Sequence, residues 1–214
     1  MRYPNEELAD YYRCQAATPV QHRTGMLEGE GWLLYALVRC LRAGTVVELG
    51  TGSGCSGLWI AQALEDVGRL DGRMVSVDIQ ERAEAMGRFH KSGVGDRIET
   101  HVLDSHGPAG KALAVEVGKV SLILFDGDHT EEGVLADLET WVPCLANDSI
   151  AVFHDATRRG RLGLGVAKAL AKYDASKESW EARAELGLSF PDGRGFDAGG
   201  PHDNGLVILQ HHGG

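Results

Sequence analysis

The chain has 214 residues, enough for one well-buried core and short for two full domains. Its 43% apolar and 24% charged residues exclude disordered and fibrous classes. A formal net charge of -10 argues against a general nucleic-acid binder or a protein docked on anionic lipid, both of which need a basic footprint.

The opening stretch, MRYPNEELADYYRCQ, has neither the basic n-region nor the apolar h-region of a secretory signal. Four scattered cysteines, Cys14, Cys40, Cys55 and Cys144, form no C-x-x-C pair, so reduced thiols in a cytoplasmic protein are expected rather than a disulfide framework or a structural zinc site. Residues up to about Ala43 read as a helical cap segment. The clearest helix is Gly31–Leu41, where Leu33, Leu34, Leu37, Val38 and Leu41 recur at helical spacing. Residues 44–214 then form the main body of what reads as a single domain.

From there short apolar runs alternate with amphipathic stretches. Strands are expected at Thr45–Leu49, Met74–Asp78, Ile98–Leu103, Ser121–Asp126 and Ser149–His154. Helices are expected between them at Ser56–Glu65, Glu81–Ser92, Gly107–Val117 and Glu131–Cys144. Continuous apolar strands separated by helices indicate an α/β fold with a doubly wound, mostly parallel sheet covered on both faces. A further helix at Gly165–Tyr173, a weak strand near Glu185–Phe190 and a strand at Leu206–Gln210 complete a seven-stranded sheet with a C-terminal antiparallel strand. The glycine-rich Pro191–Gly205 loop, with His202 and Asp203, could cover a site. Arg158, Arg159 and Arg161 could hold an anion or belong to a solvated loop. His211-His212 reads as a frayed tail. The rings of Trp32, Tyr35, Trp59 and Trp141 are expected in the core.

The densest motif is Val46-Val47-Glu48-Leu49-Gly50-Thr51-Gly52-Ser53-Gly54, which leaves a strand, turns on glycines and enters a helix. Glycine is needed where backbone must turn sharply and approach a ligand. Gly52-Ser53-Gly54-Cys55-Ser56-Gly57 also satisfies the G-x-G-x-x-G dinucleotide pattern, so the glycines alone admit an NAD-dependent oxidoreductase. Charge separates the two. A carboxylate at Glu48 would oppose a pyrophosphate and attract the ammonium and sulfonium of S-adenosylmethionine. VVELGTGSG resembles the first motif of class I S-adenosylmethionine-dependent methyltransferases, which have a Rossmann-like sheet. That resemblance implies cofactor binding by Glu48, Gly50, Thr51, Gly52 and Ser56. Asp78, ending the second strand, can accept both ribose hydroxyls in either kind of protein. Asp104 and Ser105, after the third strand, fall where the family contacts adenine, although Asp104 reads equally as an Asx-turn or helix cap.

Two strand ends are unusually polar: Asp126-Gly127-Asp128-His129 and His154-Asp155. The run FDGDHTEEGVLADLETWVPCL followed by SIAVFHDA resembles metal-dependent small-molecule O-methyltransferases, nearest to bacterial enzymes acting on antibiotic and macrolide-sugar hydroxyls. The resemblance covers roughly Gly25–Asp155, and the segment GMLEGEG takes the place of the family's loop before the sheet. It implies a divalent ion, magnesium or manganese, held by Asp126, His154 and Asp155. Asp126 would also border the cofactor, and His129 would be the base that deprotonates a small-molecule hydroxyl. His154 departs from the acid or amide usual there, and suits a softer ion or an outer role; His154 and Asp155 could also simply bond across a loop. A homodimer and a non-catalytic binding protein remain alternatives to weigh.

Overall fold

In the computed structural model, residues 3–17, 26–156, 163–174, 180–187 and 205–211 are described. The elements run α1 (Glu6–Ala17), α2 (Glu28–Leu41), β1 (Thr45–Leu49), α3 (Cys55–Val67), β2 (Arg73–Asp78), α4 (Ala83–Lys91), β3 (Ile98–Val102), α5 (Pro108–Val117), β4 (Val120–Phe125), α6 (Glu131–Trp141), β5 (Leu145–Phe153), α7 (Gly163–Asp174), β6 (Trp180–Gly187) and β7 (Gly205–His211). The sheet order is β3-β2-β1-β4-β5-β7-β6, with β7 antiparallel to both neighbours and the remaining pairs parallel. The order reverses between β1 and β4, which opens a crevice at their carboxyl ends where ligands bind in such sheets.

Alternation along the strands divides the core in two. Val47, Leu49, Ile123, Phe125, Ala151 and Phe153 face the layer of α5, α6 and α7. Val46, Met74, Leu122, Leu124 and Val152 face the layer of α1 to α4. Each fully buried aliphatic side chain contributes roughly 1.5–3 kcal/mol relative to exposure. Trp59 and Trp141 are fully buried, one in each layer, whereas Trp32 and Tyr35 pack only partly buried beside the first.

The strand and helix limits follow the sequence reading closely at β1 and within a few residues elsewhere. β5 begins earlier than expected, at Leu145, because the helix before it closes in a 3-10 turn at Val142–Cys144. The weak C-terminal strand lies at Trp180–Gly187 rather than further on. His211 is the last residue of β7, not part of a frayed tail: its Nδ1 lies 3.1 Å from the Ala146 carbonyl oxygen. Arg158, Arg159, Arg161, His202, Asp203 and His212 lie outside the described residues, as does the Pro191–Gly205 loop except Gly205. No helix among the described residues is long and apolar enough to cross a membrane.

Candidate active site

The first turn needs glycine for two separate reasons. Gly50 has φ +100°, and a Cβ there would lie 2.1 Å from the Asp126 carbonyl oxygen. Gly52 has φ +50° with open space beside it, so its requirement is conformational alone. The close approach at Gly50 is what lets the β1 and β4 ends sit side by side: the Gly50 amide donates to Val77 O at 2.7 Å, and the Asp126 amide to Leu49 O at 2.8 Å.

A cavity of about 380 Å³ opens above these ends, lined by Gly50, Gly52, Asp78, Arg82, Asp104 and Asp126 among others. That size is ordinary for a small-molecule site, roughly 300–1,000 Å³. At one end Asp78 accepts from the Gly52 amide, the Gln80 amide and, at 2.8 Å, Arg82 Nε. Burial opposes its ionisation, but Arg82 and the two amides outweigh this and hold the carboxyl below its usual range. Arg82 was not singled out in the sequence; it sits just before α4 while Asp78 ends β2, so no helical spacing links the two. Beside them Asp104 Oδ1 accepts from the His106 amide, the Asx-turn geometry expected as one reading, while the residue still lines the cavity. The Ser105 side chain turns away: its hydroxyl donates to Asp137 Oδ1 at 2.6 Å. Asp137, also 3.1 Å from His106 Nδ1, was another omission of the sequence reading; burial raises its pKa.

Glu48, Thr51 and Ser56 lie below the loop and not in the cavity wall. Glu48 shares the parity of Val46, so its side chain points down into the α3 layer, where it is 0% exposed. Ser56 donates to one oxygen of Glu48, and Ser76 to the other at 2.6 Å. Thr51 Oγ1 in turn sits 2.8 Å from Ser76 Oγ. Burial, offset in part by the two hydroxyls, pushes the Glu48 carboxyl up to about 8, and Asp126 and Asp78 add to the rise. The charge argument drawn from the sequence places Glu48 against the ligand; here the side chain lies beneath the turn, where its bonds to Ser56 and Ser76 brace the loop.

The second polar end forms for a reason of register. β4 and β5 pair in parallel with Phe125 opposite Phe153, and those rings stack at 4.5 Å. The next residues, Asp126 and His154, therefore emerge side by side on the opposite face, toward α2. His154 Nδ1 lies 3.0 Å from Asp126 Oδ1 and 3.6 Å from Asp155 Oδ2. His129 Nε2 lies 3.5 Å from each of the same two oxygens. Asp155 reaches in from a left-handed backbone, φ +50°, which aspartate tolerates better than most residues. Asp128 takes a different part: its Oδ1 accepts from the Thr130 amide and shapes the turn into α6, which Thr130 caps by accepting from Gly133 N at 3.0 Å. On the far side of the ring, His154 Nε2 meets Glu30 Oε2 at 3.1 Å, and Glu30 is fully buried. Glu30 was missed in the sequence. Its signal was an acid at i of the buried i, i+4, i+8 stripe Glu30, Leu34, Val38.

The two ring nitrogens that face the carboxylates, His154 Nδ1 and His129 Nε2, are buried and find no aligned hydrogen-bond partner. Burial favours the neutral imidazoles, yet the facing carboxylates outweigh it and raise the pKa of both, that of His154 well above normal. Asp126 moves the other way: burial disfavours its charge, but His154 and His129 bring it down to about 2. Asp126, His129, His154 and Asp155 thus present four donor atoms all within 4.8 Å of one another. Donors held about 2.1 Å from one small ion would lie roughly 3.0–3.4 Å apart, depending on octahedral or tetrahedral geometry. The separations of 3.0–3.6 Å between facing donors come close to that. Such a set could hold a divalent ion.

Residues 47–156, just over half of the chain, match the family described as methyltransferase domain. The chain belongs to this methyltransferase-domain family. It is 30% identical over 161 residues to an uncharacterised Sinorhizobium fredii protein, covering 71% of this chain and 17% of that one. To a catechol O-methyltransferase of Mycobacterium tuberculosis it is 29% identical over 134 residues, covering 61% of this chain and 56% of the relative. It therefore spans little more than half of the second relative and a small part of the first. Its fold is similar to that of an O-methyltransferase from Bacillus cereus, solved in complex with SAH, with a TM-score of 0.70 at 18% identity over 96% of this chain and 90% of that one. The methyltransferase-domain match begins within β1 and ends just past Asp155, so it takes in the cavity and the four-donor cluster but not Glu30.

Proposed function

We propose that this chain is an S-adenosylmethionine-dependent O-methyltransferase acting on a small-molecule hydroxyl with the help of a divalent ion. The observation that carries the reading is Asp126, which belongs both to the cavity bordered by the glycine turn and to the four-donor cluster. Cofactor and acceptor sites that share a residue fit a direct transfer between two bound molecules.

In this reading Asp78, with Arg82 orienting it, accepts from the ribose hydroxyls. Asp104 and Ser105 border adenine, and Gly50 and Gly52 let the methionyl part approach the backbone. Glu48, Thr51 and Ser56 support that turn from below. Asp126, His154 and Asp155 would hold the divalent ion, which would supply Lewis acidity to the acceptor hydroxyl, and S-adenosylmethionine would supply the methyl group. His129 takes the hydroxyl proton. His129 Nε2 faces the same Asp126 and Asp155 oxygens at 3.5 Å, which would set the imidazole beside a hydroxyl bound at the ion. With S-adenosylmethionine bound, its sulfonium methyl would be the group passed to the deprotonated acceptor oxygen and S-adenosylhomocysteine the product released, while Asp78, Gly50 and Gly52 would hold the cofactor in place. General-base help of this kind is worth about 10²–10⁴ in rate. The named relatives support oxygen as the acceptor atom: the Mycobacterium tuberculosis protein is a catechol O-methyltransferase, and the Bacillus cereus O-methyltransferase was solved with S-adenosylhomocysteine. A natural-product acceptor, a cytoplasmic setting and a homodimer belong to the same reading; four scattered cysteines with no C-x-x-C pair suit a reducing compartment. The charge of -10 disfavours nucleic acid and anionic membrane as partners.

The deciding experiment is calorimetry with S-adenosylmethionine, S-adenosylhomocysteine and NAD, followed by methyl transfer to a catechol with and without chelator. Binding of the first two and chelator-sensitive transfer are expected. Binding of NAD alone would overturn the cofactor assignment. Transfer that survives chelation would overturn only the metal.

A further inference from the structure

The donor set at the β4 and β5 ends holds two imidazoles and two carboxylates, and a third carboxylate stands behind one of the rings. Glu30 comes from α2, in a segment remote in sequence from the cluster. It is set deep because α2 lies close against α3: a Cβ on the neighbouring Gly31 would fall 2.0 Å from Trp59 Nε1. Glu30 Oε2 accepts from the Leu27 amide at 2.8 Å, half of a capping box that fixes the start of the helix. The same oxygen faces His154 Nε2 at 3.1 Å, with both side chains buried, 0% and 4% exposed. Oε2 already accepts from the Leu27 amide and acts as acceptor here too, so Nε2 carries the hydrogen in this contact. The opposite nitrogen, Nδ1, is then directed at Asp126 and Asp155, buried and without an aligned partner. Glu30 Oε1 is likewise buried without a partner. Glu30 and His154 thus have the layout of the carboxylate and histidine in a carboxylate–histidine–metal arrangement, in which the outer carboxylate fixes the ring's orientation and makes the inner nitrogen a better donor.

We infer that Glu30 is the positioning residue that presents His154 Nδ1 to a divalent ion, and that the site therefore selects an imidazole-accepting ion (manganese, cobalt or zinc) over magnesium. The inference rests on the divalent-ion reading above and adds to it the class of ion and the residue that sets it. Magnesium demands oxygen ligands and gives up water reluctantly, whereas first-row transition ions take imidazole readily. A His154 held rigidly by a buried carboxylate is a poor ligand to exchange for water. The selection comes from a residue before the first strand, brought in by tertiary packing.

The test is a set of titrations of chelator-stripped protein with manganese, zinc and magnesium, for the unaltered chain, Glu30→Gln, His154→Asp and Asp126→Ala. Glu30→Gln keeps an oxygen for the Leu27 amide, so the helix start and the fold survive, as circular dichroism and unaltered S-adenosylhomocysteine affinity would show. The unaltered chain is expected to bind manganese and zinc at least about tenfold more tightly than magnesium. Glu30→Gln should weaken manganese and zinc by about 10- to 100-fold. His154→Asp should move the preference toward magnesium. In the zinc-loaded protein, ¹⁵N shifts should place the metal on His154 Nδ1 and the proton on Nε2, which a merely structural Glu30 would not require. Equal affinity for magnesium, an affinity indifferent to Glu30→Gln while Asp126→Ala abolishes binding, or coordination through Nε2 would each overturn this inference and leave the divalent-ion reading standing. An unaltered chain that binds none of the three ions overturns both.

Discussion

The two ends of the cavity are built from similar residues to different effect. At the β2 and β3 ends, Asp78 and Asp104 are satisfied mostly by their own neighbours in sequence, Gln80, Arg82 and His106, with the Gly52 amide of the first turn as a more distant donor. At the β4 and β5 ends, Asp126, His129, His154 and Asp155 converge from separate segments, and two of their ring nitrogens are left without an aligned partner. A locally satisfied carboxylate keeps its shape and charge whatever binds beside it. The first end is held in shape mainly by local hydrogen bonds, whereas the second brings together charged groups whose mutual placement depends on how separate segments pack.

That contrast can be broken or sharpened by experiment. The largest effect is expected from His129→Ala, which should lower turnover by about 10²–10⁴ while S-adenosylhomocysteine affinity holds. An unchanged turnover would make the cluster structural and end the comparison. Gly50→Ala comes next, because it forces a Cβ against the Asp126 carbonyl in a left-handed backbone. Overpacking and backbone strain, each about 1–3 kcal/mol, should lower thermal stability measurably and damage both ends together. A variant as stable as the unaltered chain would mean the two strand ends are not locked by that contact.

Arg82→Ala should have a smaller and one-sided effect. The Arg82 side chain is 39% exposed, so its pairing with Asp78 is partly screened, and the two amides still hold the carboxylate. Weaker S-adenosylmethionine binding, by less than about tenfold, with manganese affinity unaltered is the expected pattern. A loss of metal affinity would show that the ends are coupled. The smallest effect on ligand binding concerns Glu48, whose readout is stability instead. Its folded pKa of about 8 is raised above the ordinary 4.5, so the native state binds the proton more tightly than the unfolded chain. Its stabilising contribution is complete below about pH 4.5 and is lost as pH rises through about 8. Denaturant titrations of Glu48→Gln should show a flatter decline over that window than the unaltered chain. Parallel profiles would mean that Glu48 is already ionised within the fold.

Much of this was legible in the residues. β1 could be delimited to the residue because Thr45–Leu49 is a short β-branched run ended by glycine, and the β4 and β5 ends stood out because acids and histidines follow apolar strands. The same local pattern misled at Glu48. It too sits at a strand end, but one residue short of the turn, and the strand's two-residue period turns it into the core. Ser105, expected from the family pattern at the adenine, lines the cavity, yet Asp137 from α6 claims its hydroxyl.

By itself, then, the sequence determined the alternation of strands and helices, the glycine turn and the set of titratable residues at the sheet's edge, since each is written in neighbouring residues and a fixed period. Only the tertiary structure decided which of those groups face one another. The β4–β5 register set Asp126 beside His154, and the packing of α2 on α3 put Glu30 behind its ring, across 124 positions of chain. Contacts at such separation are set by how faces pack, and a one-dimensional pattern records the faces without recording their partners.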